Sequence, residues 1–132
     1  MKNDIATRKD IEILVDEFYN KIRVDEQIGF IFSDIAKVNW QKHLPVMYDF
    51  FENMLFYTGS YTGNPMVLHK HINRLFPLTE DHFRQWIYLF SKTVDELFEG
   101  ATASLVKQRA TSIAAVMQIK ILKESSSSNK IF

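Results

Sequence analysis

The sequence has no cysteine, and only four glycines and three prolines in 132 residues. Without cysteine there are no disulfides, no thiolate metal ligands and no thiol nucleophile. Glycine and proline at less than half their usual share argue against a sandwich or barrel, where every strand reversal needs turn residues. An excess of one charge is lacking too, since sixteen Lys and Arg balance sixteen Asp and Glu. No basic face is advertised, so nucleic acid is not an expected partner. The longest apolar stretches are broken by Asp49, Glu52 and Asn53, and none approaches the ~18 residues of a membrane helix. Met1 to Asp10 carries no signal-peptide core, which gives a cytoplasmic chain with no membrane partner as the expectation.

What the sequence does have is an aromatic surplus (eleven Phe, five Tyr and two Trp) and strong helical periodicity. Ile11, Leu14, Val15, Phe18, Tyr19 and Ile22 form one apolar stripe of a helix over about Arg8 to Val24. Thr7 with Asp10 is an acidic version of a capping box at its start. Ile28 to Phe32 has the length of a single helical turn. A second helix is expected from Asn39 to Phe56, with Trp40, His43, Met47, Phe50, Phe51 and Met54 on one face. Pro45 inside it predicts a kink, or a start nearer Lys42. Gly59 to Gly63 reads as a loop. Asn64-Pro65 opens a short helix that holds His69.

Thr79, with Glu80 and Asp81, caps a long helix ending at Gly100. Its buried face is Phe83, Trp86, Ile87, Phe90, Val94, Leu97 and Phe98. The last helix runs from about Thr102 to Lys123, striped by Val106, Ala110, Ile113, Met117 and Ile121. The fold class is therefore all-α, a single domain over residues 1–124. Residues 125–132, led by Ser125 to Ser128, are expected to be a disordered tail.

Four histidines remain to be placed, and each could serve an ordinary structural role. Zinc finds no support: no His-Glu-x-x-His occurs, and His69 and His71 point roughly 200° apart on a helix. There are no Glu-x-x-His pairs for a di-iron bundle, no Gly-x-Ser-x-Gly and no phosphate-cradling glycine loop. One arrangement survives. A flat apolar cofactor between the helices of His43 and His69 would take one imidazole as ligand and leave the other on the opposite face, as in haem held by a single histidine. Aromatic residues would supply its walls.

The residues in order are Phe18-Tyr19 with Arg23, Ile28-Gly29-Phe30-Ile31-Phe32, Trp40-Gln41-Lys42-His43-Leu44, Phe50-Phe51-Glu52, Tyr61-Thr62-Gly63-Asn64-Pro65-Met66, His69, and His82-Phe83-Arg84-Gln85-Trp86. This set resembles the group III truncated haemoglobins, small bacterial globins with a two-over-two helical sandwich. The resemblance spans about Asp10 to Met117, and the Gly-Asn-Pro-Met-x-x-His block with His-Phe-x-x-Trp is its most telling part. It implies haem b (iron protoporphyrin IX), with His69 as the iron ligand in preference to His71. It implies Tyr19 and Trp86 as distal hydrogen-bond donors and His43 as a distal residue that points into the pocket or gates it. Phe32, Met47, Phe50 and Met66 are implied as residues against the haem, whereas His82 is read as a surface residue at a helix start.

The family commonly has Phe-Trp-Glu where this chain has Phe50-Phe51-Glu52, so any role of that indole N–H is not carried over. The absence of Gly-Gly agrees with the group. The implied ligands are oxygen and nitric oxide, with slow oxygen release. Nitric oxide or peroxide chemistry is implied beside storage, with an unidentified reductant, in a monomer. The rival reading is a cofactor-free helical interaction domain.

Overall fold

The computed structural model of the protein describes residues 2–59, 61, 73 and 77–129, with side chains as far as Ile121. The α-helices among these residues include α1 (Arg8–Val24), α2 (Trp40–Phe56), α3 (Glu80–Leu97) and α4 (Ala101–Asn129). No strand occurs among the described residues. No helix among them is long and apolar enough to cross a membrane. The expected short helix opened by Asn64-Pro65 lies outside the described residues.

Helices α1 and α2 pair, α3 and α4 pair, and the two pairs pack through α1 on α3 and α2 on α4. The core is thus built between two helical layers. All six residues of the α1 stripe are buried. The helix starts with the expected box: the Thr7 hydroxyl accepts from the Asp10 N–H while the Asp10 carboxylate accepts from the Thr7 N–H, satisfying orphan donors of the first turn.

The link from α1 to α2 is longer than one turn of helix. Gly29 and Phe30 are helical, and Ile31–Ile35 continues as a π-helical turn, closed by the Ala36 N–H donating to the Ile31 carbonyl. Lys37 then takes a left-handed conformation at φ 50°. Gly29 is required by close approach, because a Cβ there would lie 2.8 Å from the Ile22 carbonyl oxygen.

Helix α2 begins at Trp40, capped by the Asn39 side chain, and runs through Pro45 without ending. The start nearer Lys42 is therefore not what forms. Pro45 costs one intrahelical hydrogen bond, but the Asn39 cap and the burial of Phe51 and Leu55 favour the longer helix. The expected single apolar face of α2 is in fact two stripes. Phe51 and Leu55 are buried, while Leu44 and Tyr48 on their stripe, and Met47, Phe50 and Met54 on the other, are half-buried and packed against the core.

Helix α3 is capped by Thr79, whose box partner is His82: the Thr79 N–H donates to His82 Nδ1 at 2.9 Å. His82 is thus a half-buried capping residue rather than a plain surface one. The helix ends at Leu97, three residues before Gly100. Gly100 instead bends the chain at φ 142° so that Asp4 can reach the start of α4. The Asp4 carboxylate accepts from the N–H groups of Thr102 and Ala103, a helix cap supplied from the far end of the sequence. A Cβ on Gly100 would fall 2.5 Å from the Asp4 carboxylate carbon. The backbone of α4 stays helical to Asn129, past the apolar stripe that ends at Ile121.

Candidate functional site

Tyr19 occupies the middle of α1 and is 2% exposed. Its ring lies 5.2 Å from Trp40, 5.4 Å from His43 and 6.0 Å from Phe32. Trp40 and His43 are one turn apart at the start of α2, and their rings sit 5.7 Å apart, edge to face. Phe32, from the π-helical turn, stacks on Trp40 at 6.2 Å. Three consecutive elements therefore converge on one phenol, and the π-helical turn is what aims Phe32 there. Extra-residue turns of this kind recur at functional sites.

The Tyr19 hydroxyl at the polar end of this cluster is spare in hydrogen bonds among the described residues. The Tyr19 hydroxyl and His43 Nε2 are 3.4 Å apart, beyond the usual range for an O–H contact. No other partner of that hydroxyl occurs among the described residues, although buried polar groups are nearly always satisfied. Burial pushes the Tyr19 phenol well above its ordinary range, so it stays protonated. Two arrangements are open to the pair. Either the Tyr19 O–H donates to Nε2, or an Nε2–H donates to the Tyr19 oxygen and frees the phenol proton to point elsewhere.

Trp86 stands one ring away. Its indole packs on Phe18 at 5.2 Å, edge to face, and stacks on Phe90 at 5.5 Å, while Phe18 touches Tyr19 at 5.0 Å. Trp86 is half-buried, and its indole N–H has no hydrogen-bond partner among the described residues. The expected donors are thus brought to neighbouring positions on α1 and α3, joined through Phe18. Met47 and Phe50 lie on the half-buried stripe of α2, with Phe50 against Tyr61 at 5.1 Å. Phe51 is completely buried and stacks on Phe90, so the ring that departs from the family pattern belongs to the core. Met66, His69 and His71 lie outside the described residues.

Trp40 is the member that reading the sequence left as one residue of a helix face. Its spacing of three from His43 and its place just after a capping asparagine were the available signals. Arg23 was quoted only as part of a pattern, and its guanidinium lies over the Trp40 ring at 4.3 Å.

Half-buried apolar side chains from three elements, with two under-satisfied donors above them, suit a flat apolar group carrying a polar ligand. The donor set has no carboxylate or histidine cluster that could hold a bare metal ion among the described residues. On this side of the site the residues fit haem.

Comparison with known proteins bears on the same point. A family model described as bacterial-like globin matches residues 3–121. A group 3 truncated hemoglobin of Campylobacter jejuni is 29% identical over 126 residues, spanning 93% of this chain and 97% of that protein. The crystal structure of a group III truncated hemoglobin from Campylobacter jejuni superposes with a TM-score of 0.80 at 28% identity, covering 92% of this chain and 95% of that one. The helical layers, the aromatic cluster around Tyr19 and a family match over nearly the whole chain lead to one conclusion: this chain belongs to the bacterial-like globins, a haem-based gas-binding protein with the truncated two-over-two fold.

Proposed function

We propose that the protein binds oxygen and other diatomic gases at haem b held by His69, releases oxygen slowly, and supports nitric oxide or peroxide chemistry with a separate reductant. The observation that carries this reading is the buried Tyr19 hydroxyl with a single, long polar contact among the described residues. Haem, when bound, supplies the iron at which a diatomic ligand is held and polarised.

The residues of the chain do the rest. Tyr19 and Trp86 each offer a proton to the polarised ligand, and a hydrogen bond to a charged acceptor is worth about 1.5–3 kcal/mol. The imidazole of His43 sets which way the Tyr19 proton points, since an Nε2–H donated to the phenol oxygen leaves that proton for the ligand. Phe32, Met47 and Phe50, with Met66, supply apolar walls that exclude water and strengthen those contacts. His69 would hold the iron through one ring nitrogen, and a partner for its other N–H would fix the ring. The haem domain is residues 1–124, and the serine run from Ser125 lies outside it.

The purified protein tests this directly. A Soret band with visible haem bands is expected, either as isolated or after addition of haemin. A colourless protein that refuses haemin refutes the reading and favours a cofactor-free interaction domain.

A further inference from the structure

We propose that Trp40, held under the Arg23 guanidinium, is a positioning residue that sets where the His43 ring rests against the Tyr19 hydroxyl, and so governs the access of small ligands. The inference rests on the reading of Tyr19 and His43 as the distal pair.

The geometry is a closed triangle with a clasp. The rings of Tyr19, Trp40 and His43 touch one another at 5.2, 5.4 and 5.7 Å. Phe32 stacks on Trp40 at 6.2 Å. Arg23 lies one helical turn beyond Tyr19 on α1, so both side chains leave α1 on the same side. From there the guanidinium reaches across to α2 and lies 4.3 Å from the Trp40 ring centroid, closer than the 5.6, 6.0 and 5.4 Å of the cation contacts on Tyr48, Tyr88 and Tyr57.

Trp40 is the first residue of α2, preceded by the left-handed Lys37. The first turn of a helix has no earlier turn to hold it. Its hold on α1 therefore depends on side-chain contacts such as this one. His43 sits on that same turn. Releasing Trp40 lets the turn, and the imidazole with it, move off the Tyr19 hydroxyl.

The test uses Arg23→Gln, an exposed change that removes the cation, and Arg23→Lys, which keeps one. Two readouts are needed. One is the set of His43 ring resonances by NMR in the protein without haem. The other is carbon monoxide association with the haem-loaded protein after flash photolysis. Arg23→Gln is expected to shift the ring resonances and to speed association about two- to five-fold, the weight of an exposed cation–π contact. Arg23→Lys, which keeps a cation, is expected to bring both back toward wild type, whereas Arg23→Met, which keeps the long apolar stem without the charge, is not.

If Arg23→Gln leaves resonances and rate at wild type while His43→Leu changes the rate, the clasp is refuted and the distal pair stands. If His43→Leu also leaves the rate unchanged, the distal reading fails and the clasp falls with it.

Discussion

Replacing Tyr19 by Phe isolates the hydroxyl, because the surroundings of the ring need not change. The ring keeps its contacts with Phe18, Trp40 and Phe32 at 5.0, 5.2 and 6.0 Å, and the site is already 98% covered by neighbours, with 2% exposure. Among the described residues the atom removed makes one hydrogen-bond contact, at 3.4 Å, too long to contribute much. Stability should therefore change by less than about 1 kcal/mol. The effect on oxygen should be far larger. A hydrogen bond to a ligand bearing negative charge is worth about 1.5–3 kcal/mol, roughly one to two orders of magnitude in release rate at about 1.4 kcal/mol per decade.

The assay is oxygen dissociation by stopped flow, with thermal unfolding as the control and carbon monoxide release as a second one. Carbon monoxide takes up little negative charge, so its release should move much less than that of oxygen. A purely steric change would move both. Trp86→Phe should act in the same direction. The double variant should fall short of the product of the two, because both donors serve one ligand. If both single variants release oxygen at the wild-type rate, the account of this pocket is wrong.

Other consequences can be checked separately. His69→Ala should lose haem or its normal spectrum, whereas His71→Ala should keep both; the opposite result would move the iron ligand by two residues. Asp4→Ala should cost about 1 kcal/mol, the usual worth of a helix cap, read as a fall in melting temperature. The N–H of Thr102, foremost, holds the Asp4 carboxyl below its ordinary range. That contribution is full above about pH 4 and is lost as pH falls through the lowered folded value, so wild type and variant should converge in acid. Burial, aided by its hydrogen bond to Asp16, pushes the Tyr48 phenol up to about 12. Its contribution is present below about pH 10 and fades as pH climbs toward 12. Tyr48→Phe should make that alkaline slope in stability shallower, leaving the part that the buried Tyr19 phenol contributes.

The parts of the fold that were legible in the sequence are those set by local rules. The α1 stripe, its Thr7–Asp10 box and the Thr79 cap all follow from spacing and side-chain chemistry within one or two turns. The end of α3 was misplaced because Gly100 serves a contact with Asp4 from the opposite end of the sequence, and no local pattern encodes that. Likewise, the π-helical turn depends on how Phe32 packs beside Tyr19 and Trp40. The convergence of Tyr19, Trp40 and His43 is a tertiary fact about two helices crossing, so periodicity within either one could not show it.

One trace of the site was nevertheless present in α2, in the width of its apolar arc. A helix on the outside of a small domain needs one stripe to cover the core. Helix α2 has Leu44, Tyr48, Phe51 and Leu55 for that purpose and a second stripe of Trp40, Met47, Phe50 and Met54 alongside, interrupted only by His43. An arc that wide would suit a helix buried all round, yet Val46 on the far side is 46% exposed, so α2 is not one. The second stripe meets Tyr19 of α1 through Trp40 and His43 and meets Tyr61 through Phe50, yet it stays half-buried, and the lone imidazole within it gives that surface one polar point. A wide apolar arc that packs on the core yet stays half-buried, broken by a single imidazole, suits the flat cofactor that the globin family implies.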